Sequence, residues 1–331
     1  MPTTPLDIER LAPMPQFCES TLDDVLAHAQ VRTGFTTRHD WLRDAHKYLG
    51  GSDAAAVCGL DPYKSPLAVW SVKTGGMLDD TPQNEAMMFG TLFEPVLLNV
   101  LAQRTGRRVA HWPQSVRVID RIDDWRACTP DGLQEDDTMP GVGTVQIKCS
   151  TDADAWADGV PLRTMLQVHH EMSVCDARWC TVGVLLNGNC FRSFDVLRDD
   201  QMAQDLVEAE RHFWRMVQNR IPPEVDGSES TRDTVRRMWP TTTEGKVVTL
   251  PGEAIEVAHT LEATKLQIKA LVDQCEAAES QLRAWLQDAE VGLLPDGSAR
   301  YTLRQTTVPE HWRSETTHRR LRRVNDGRAR R

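Results

Sequence analysis

Three things are missing from this sequence, and each absence narrows its class. No apolar run is long enough to cross a bilayer and no signal-peptide pattern opens the chain, which predicts an intracellular protein with no membrane partner. The eight cysteines, at positions 18, 58, 128, 149, 175, 180, 190 and 275, contain no CxxC pair. Scattered through apolar surroundings, they read as buried reduced thiols and not as a zinc or iron–sulfur site. An excess of positive charge is also lacking. The net charge of −10 argues against a nucleic-acid partner until its distribution is seen. Residues 319–331 hold seven arginines and one aspartate, a local +6, so the other 318 residues carry −16. A basic tail on an acidic body serves as a phosphate-binding arm or as a solvated, disordered end.

What is present is a chain of 331 residues with the composition of an ordinary globular protein. That length buries a sizeable core and predicts one large domain with an appendage. Residues 22–29 carry a weak helical pattern. Short helices are expected at 41–48, 54–58 and 67–74, punctuated by Gly50-Gly51-Ser52-Asp53, by Gly59 and Pro62, and by Gly75-Gly76. A long helix covers 84–105, where Met88, Leu92, Val96 and Val100 form an i, i+4 stripe with Glu94 in its midst. Strands follow at 107–112, 115–120, 125–129 and 143–149. A helix runs from Pro161 to about Val174, a hairpin turns at Asn187-Gly188-Asn189, and an amphipathic helix spans 201–219. Residues 1–220 form the main domain and 221–252 a linker or irregular wrap. Residues 253–331 hold a heptad-patterned helix, a short hairpin and the basic tail.

The chemistry concentrates in Thr129-Pro130-Asp131-Gly132-Leu133 and Val145-Gln146-Ile147-Lys148. Side chains alternate along a strand, so Gln146 and Lys148 share one face while Ile147 points into the core. Asp131, at the end of the preceding strand, can meet them there. A carboxylate, a second oxygen ligand and a lysine suit hydrolysis of a phosphodiester, which needs a divalent cation to polarise the phosphate and activate water. The alternative is a plain Asp-Gly turn beside a surface lysine. Three features favour the first reading. Glu94 lies on a face that a core would bury, where glutamate is rare unless paired or metal-bound. Gln167, His170 and Glu171 share one helix face. The Gly50-Gly51-Ser52-Asp53 turn opens a helix, a natural anion site.

At this point the chain resembles a known family. Leu49-Gly50-Gly51-Ser52-Asp53-Ala54-Ala55, Leu60-Asp61-Pro62-Tyr63-Lys64-Ser65-Pro66, Trp70 and Lys73-Thr74-Gly75 resemble the opening of YqaJ-type viral recombinases, relatives of phage lambda exonuclease in the PD-(D/E)xK nuclease superfamily. Phe89-Gly90-Thr91-Leu92-Phe93-Glu94-Pro95 resembles the family's G-x-x-x-E helix. The Asp131 and Lys148 segments resemble its catalytic strands, and Leu166-Gln167-Val168-His169-His170-Glu171-Met172 its Q-x-Q-x-x-M helix, with His169 in the second glutamine's place. The resemblance covers about residues 41–220.

It implies an α/β fold, a central mixed β-sheet flanked by helices in a restriction-endonuclease-like core, here with a helical C-terminal appendage. It also implies Mg²⁺-dependent 5′-to-3′ digestion of linear double-stranded DNA ends, with Mn²⁺ as a substitute ion, ring-shaped homotrimers and a single-strand annealing protein as partner. Glu94, Asp131, Gln146 and the Ile147 carbonyl would hold metal, and Lys148 would be the catalytic lysine. Gln167 would lie beside the metal. Ser52 and Thr129 would hold the 5′-phosphate.

Two departures stand out. Gln146 replaces an acid, so either its amide oxygen binds metal without supplying charge, or Glu171 reaches in as a migrated carboxylate. The family's arginine before Gly50-Gly51 is also absent, leaving Arg43, His46 or Lys47 to meet the phosphate. The rival functions are a structure-selective or restriction-type endonuclease and a catalytically decayed DNA-binding recombination scaffold. A CRISPR-type adaptation nuclease would need a four-cysteine cluster that this sequence does not have.

Overall fold

The computed structural model describes residues 29–35, 38–77, 84–113, 115–241, 243–308 and 316–324. The chain divides into two compact units, Met1–Thr242 and Thr243–Arg331. In the first unit a strand β1 (Ala29–Arg32) precedes three short helices, α1 (Arg38–Ala45), α2 (Gly51–Val57) and α3 (Pro66–Lys73). The long helix α4 (Glu85–Thr105) leads into β2 (Arg108–His111), β3 (Arg117–Asp120), β4 (Ala127–Cys128), β5 (Gly132–Glu135) and β6 (Gly143–Ser150). Helix α5 (Leu162–Val174), strands β7 (Trp179–Leu186) and β8 (Cys190–Leu197), and helices α6 (Asp200–Asn219) and α7 (Glu229–Met238) complete it.

The centre is a five-stranded mixed sheet in the order β2-β5-β6-β7-β8. Only β6 and β7 run parallel, joined through α5, and the other pairs are antiparallel. Alternation along β6 divides its side chains between two cores. Val145 and Ile147 pack with Leu97, Leu98, Leu101, Val109 and Phe191 beneath α4. Beyond the other face Val168 and Met172 of α5 pack with Leu133, Val182 and Val184. Helices therefore cover both faces of the sheet, the α/β architecture that the motifs imply. Strands β1, β3 and β4 form a separate antiparallel sheet. The second unit consists of helix α8 (Ala254–Leu286) and an antiparallel sheet of β9 (Val291–Leu293), β10 (Arg300–Val308) and β11 (Thr316–Val324). This is the helical C-terminal appendage.

Several expectations change. The partner of β6 is not a strand ending before Asp131 but β5, which starts just after it. Residues 127–128 pair with β3 instead. The sequence carries no strand signal for β5, because four residues containing Gly132, Gln134 and Glu135 show no apolar alternation. Residues 22–28 lie outside the described residues, and the chain is already extended from Ala29.

The α4 stripe is also corrected: Val100 is buried, but Met88, Leu92 and Val96 are exposed, with Phe89 and Phe93 beside them. The buried face instead follows Leu97, Leu98 and Leu101. Moreover, α4 is by length and composition able to cross a membrane, contrary to the reading that no run is long enough. Its carboxyl-terminal half is used here as the core of the sheet.

The 221–252 segment contains α7, capped by the Ser228 side chain accepting from the Thr231 amide. Its buried positions are Thr231 and Thr234, so no aliphatic stripe announced it. Finally, the basic tail is strand as far as Val324, paired with β10, and residues 325–331 lie outside the described residues.

Candidate active site

The sheet positions Asp131, Gln146, Ile147 and Lys148 together. Asp131 is held by backbone bonds in both directions: its amide donates to Val145 O at 3.2 Å, and its carbonyl accepts from Trp112 N at 3.1 Å. One carboxylate oxygen, Oδ2, accepts from the Ile147 amide at 2.6 Å and from Gln146 Nε2 at 2.6 Å. Gly132 permits this arrangement, since a Cβ there would lie 2.8 Å from the Ala110 carbonyl oxygen.

With its amide nitrogen spent on Asp131, Gln146 turns Oε1 inward, buried and without a donor. Lys148 Nζ donates to Gln167 Oε1 at 2.9 Å, and Gln167 Nε2 donates to Glu171 Oε1 at 2.9 Å. Glu171 is 2% exposed, and its second oxygen, Oε2, also has no donor. Gln167 and Glu171 face the strand pair together, as their i, i+4 spacing requires. His170 does not join them. Its Nδ1 lies 2.7 Å from Glu210 Oε1 and its Nε2 3.1 Å from the Ala127 carbonyl oxygen. His169 is buried elsewhere, 2.9 Å from Met165 O and accepting from the Asp199 amide.

Glu94 reaches the same end of the sheet from α4, its side chain 13% exposed and 3.0 Å from His111 Nε2. His111 is a residue the sequence reading missed. Its register opposite Gly132 is the structural signal, and only strand pairing reveals it. The hydrogen bond to Glu94 raises the His111 pKa against the opposing effect of burial, with the charge of Glu94 adding to it.

The acids show how crowded the negative charge is. Burial, then Glu94, pushes Asp131 up to about 7, although Lys148, the Ile147 amide and His111 pull the other way. Burial, then Asp131, pushes Glu171 up to about 8. Both carboxyls thus retain protons well above the ordinary carboxylate range.

The Gly50-Gly51-Ser52 turn is brought against this cluster. Leu49 N donates to Trp125 O and Ala127 N to Leu49 O, which aligns the turn with the segment before Thr129. At Gly51 a Cβ would lie 2.9 Å from Glu171 Oε1 and 3.2 Å from Gln167 Cγ. Ser52 is exposed at this turn, and Thr129 lies half-buried between β4 and β5. Of the predicted phosphate-binding cations, Arg43 pairs with Asp40 at 2.8 Å and Lys47 with Asp44 at 3.2 Å. His46 is half-buried just after α1. Lys64 and Lys73 instead converge on buried Asp53, at 2.8 and 2.9 Å. Burial alone would raise the Asp53 pKa, but the two lysines hold it well below the usual carboxylate range.

A divalent cation fits this donor set in a specific way. Among the described residues no three His, Cys, Asp or Glu side chains form a metal cluster. Completing a site at Asp131 therefore takes neutral oxygens or a more distant acid. Gln146 Oε1 and Glu171 Oε2 are two buried oxygens that lack a donor, the state in which an acceptor gains most from a cation.

The fold and this cluster define an α/β domain that gathers acids, an amide and a lysine at one end of a mixed sheet. Residues 40–178 match the family model described as the YqaJ-like viral recombinase domain. The chain is 28% identical over 266 residues to "Uncharacterized protein YqaJ" of Bacillus subtilis (strain 168), covering 78% of this chain and 81% of that one. Among solved structures, an alkaline exonuclease (LHK-Exo) from Laribacter hongkongensis is similar over 55% of this chain and 94% of its own, at 18% identity and a TM-score of 0.46. A phage related exonuclease from Haemophilus somnus 129PT is similar over 53% and 96%, at 12% identity and a TM-score of 0.33.

Proposed function

We propose that this chain is a divalent-cation-dependent exonuclease that degrades one strand of linear double-stranded DNA from its end, producing single strands for phage-type recombination. The observation that carries the reading is the pair of buried, donor-less oxygens, Gln146 Oε1 and Glu171 Oε2, flanking an aspartate and a fixed lysine.

In this reading Asp131, Glu94, Gln146 Oε1 and the Ile147 carbonyl hold Mg²⁺ or Mn²⁺, and Glu171 supplies the charge that Gln146 lacks. When bound, the cation polarises the phosphodiester and lowers the pKa of the attacking water. The protein's own residues do the rest. Lys148, aimed by Gln167, sets an ammonium donor where charge develops on the phosphate. His111, its Nε2 3.0 Å from Glu94 Oε1, holds that carboxylate in place. The hydroxyls of Ser52 and Thr129 receive the 5′-phosphate at the start of α2, with Arg43, His46 and Lys47 supplying positive charge nearby. DNA is the substrate, an annealing protein the recipient of the product strand, and the cytoplasm of a bacterium or infected host the site of action.

Incubation of linear and covalently closed duplex DNA with the protein, in Mg²⁺ or in chelator, tests this. The linear form should disappear only with Mg²⁺ while the closed form persists. Cutting of the closed form would identify an endonuclease, and inactivity with both Mg²⁺ and Mn²⁺ would identify a scaffold.

A further inference from the structure

Helix α8 is 33 residues long, about 50 Å at the usual rise per residue, and Leu286 is its one buried residue. An apolar stripe nevertheless runs along it at heptad spacing. Leu261, Ile268, Cys275 and Leu282 form one row, and Thr264, Leu271, Ala278 and Trp285 the row three residues on. Leu261, Ile268, Leu271 and Trp285 are exposed, Trp285 by 72%, and Cys275 is an exposed free thiol. Helices of this kind draw their stability from packing such a stripe against a partner.

We propose that this stripe is where two copies of the chain pair, their α8 helices antiparallel about a twofold axis at the level of Asp273. Antiparallel pairing sets each residue of the first row against one of the second. Leu261 then meets the partner's Trp285, Thr264 the partner's Leu282, Ile268 the partner's Ala278, and Leu271 the partner's Cys275. The twofold repeats these layers and leaves none over. Away from the ends every layer combines a large side chain with a smaller one, which fills space evenly. Parallel pairing would stack like on like, with Trp285 on Trp285 beside Ala278 on Ala278.

The flanking positions agree. In the antiparallel arrangement Lys265 lies opposite the partner's Glu279, twice over. Val272 meets its own counterpart, Gln267 meets the partner's Gln281, and Gln274 meets Gln274. No like charges meet, and two opposite pairs form. A parallel pair would bring Gln267 to Val272 and Gln274 to Glu279, with no ion pair, and flanking charges are what set orientation in such helices. Within one helix Lys265 contacts Glu262 at 3.0 Å and Glu279 contacts Arg283 at 3.4 Å. Both contacts are exposed and available for sharing with a second helix.

Measurement of the full-length protein's mass by sedimentation across a concentration series tests the pairing. The wild type should associate in multiples of two, and Leu271→Asp should halve the mass. Lys265→Glu or Glu279→Lys alone should weaken association by about fivefold or more, because each places like charges together twice. The double exchange, Lys265→Glu with Glu279→Lys, should restore it. These two positions are exposed, so folding is not at stake. A wild type that stays monomeric or stops at the trimer that the family resemblance implies, a Leu271→Asp protein of unchanged mass, or a double exchange no tighter than the single variants would overturn the proposal. The last result would also point to a partner other than a second copy in this orientation.

Discussion

Gln146 is the residue on which the site turns. Its amide nitrogen donates to Asp131 Oδ2, which an ionised glutamate could not do. The same choice removes a charge from the candidate metal site. Replacement Gln146→Glu should therefore tighten Mg²⁺ binding, by about tenfold if one added ligand charge acts as it does in other oxygen sites, while lowering stability in chelator. Titration calorimetry with Mg²⁺ and melting in EDTA read the two effects separately. Glu171→Gln should weaken Mg²⁺ binding, and undiminished affinity would remove Glu171 from the site.

The raised carboxyls predict a pH dependence. Asp131 and Glu171 hold protons up to about 7 and about 8 in the folded chain, whereas unfolded carboxyls release theirs near about 4. Across that window the folded state binds more protons than the unfolded state, so stability without metal falls as pH rises. Melting in EDTA should thus drop by several degrees from about pH 5 to about pH 8, and Mg²⁺ should recover more stability at the alkaline end. An equal Mg²⁺ effect at both pH values would contradict this.

At the scale of elements, legibility follows from periodicity. The face of β6 and the Gln167–Glu171 side of α5 could be read because alternation and the i, i+4 rule fix which residues share a side, whereas His170, read onto the same side, turns to Glu210 instead. Gln167 lies between Lys148 and Glu171 as that rule requires. What could not be read depends on contacts distant in sequence. β5 exists because Gly132 allows it to lie between β2 and β6, not because its four residues favour a strand. Gly132→Ala should force β5 away from the Ala110 carbonyl, at a cost of about 1–3 kcal/mol, measurable by denaturant unfolding.

The same holds for the buried network behind the site. Arg126 donates to Glu210 at 2.7 Å and to Asp120 at 2.6 Å, and Glu210 also holds His170. Both His170 nitrogens lie within hydrogen-bond distance of oxygens, Glu210 Oε1 and the Ala127 carbonyl. The network ties α5, α6 and the β3–β4 turn together. Arg126→Met leaves two buried carboxylates short of a partner and should cost about 3–5 kcal/mol. An unfolding midpoint close to wild type would show the network to be dispensable.

For the whole molecule, the motifs from 41 to 220 implied the α/β fold class that the mixed sheet and its flanking helices show. The helical pattern also located α8 correctly, because a heptad repeat is visible in any long helix. The exposed apolar face of α4 and the strand formed by the basic segment were not legible. A stripe in the sequence does not say which neighbour covers it, and β10–β11 pairing decides the second.

The charge distribution also makes sense at this scale. An acidic body can act on DNA if its acids are offset at the point of contact by a bound cation and by Lys148. The measurement that tests this account most directly is digestion of linear duplex DNA, labelled at the 5′ or the 3′ end, in Mg²⁺, by the wild type and by Lys148→Met. The account predicts early release of the 5′ label, faster with a 5′-phosphate, and loss of at least a hundredfold in rate in Lys148→Met, about 3 kcal/mol of barrier. Digestion by Lys148→Met at the wild-type rate would contradict it.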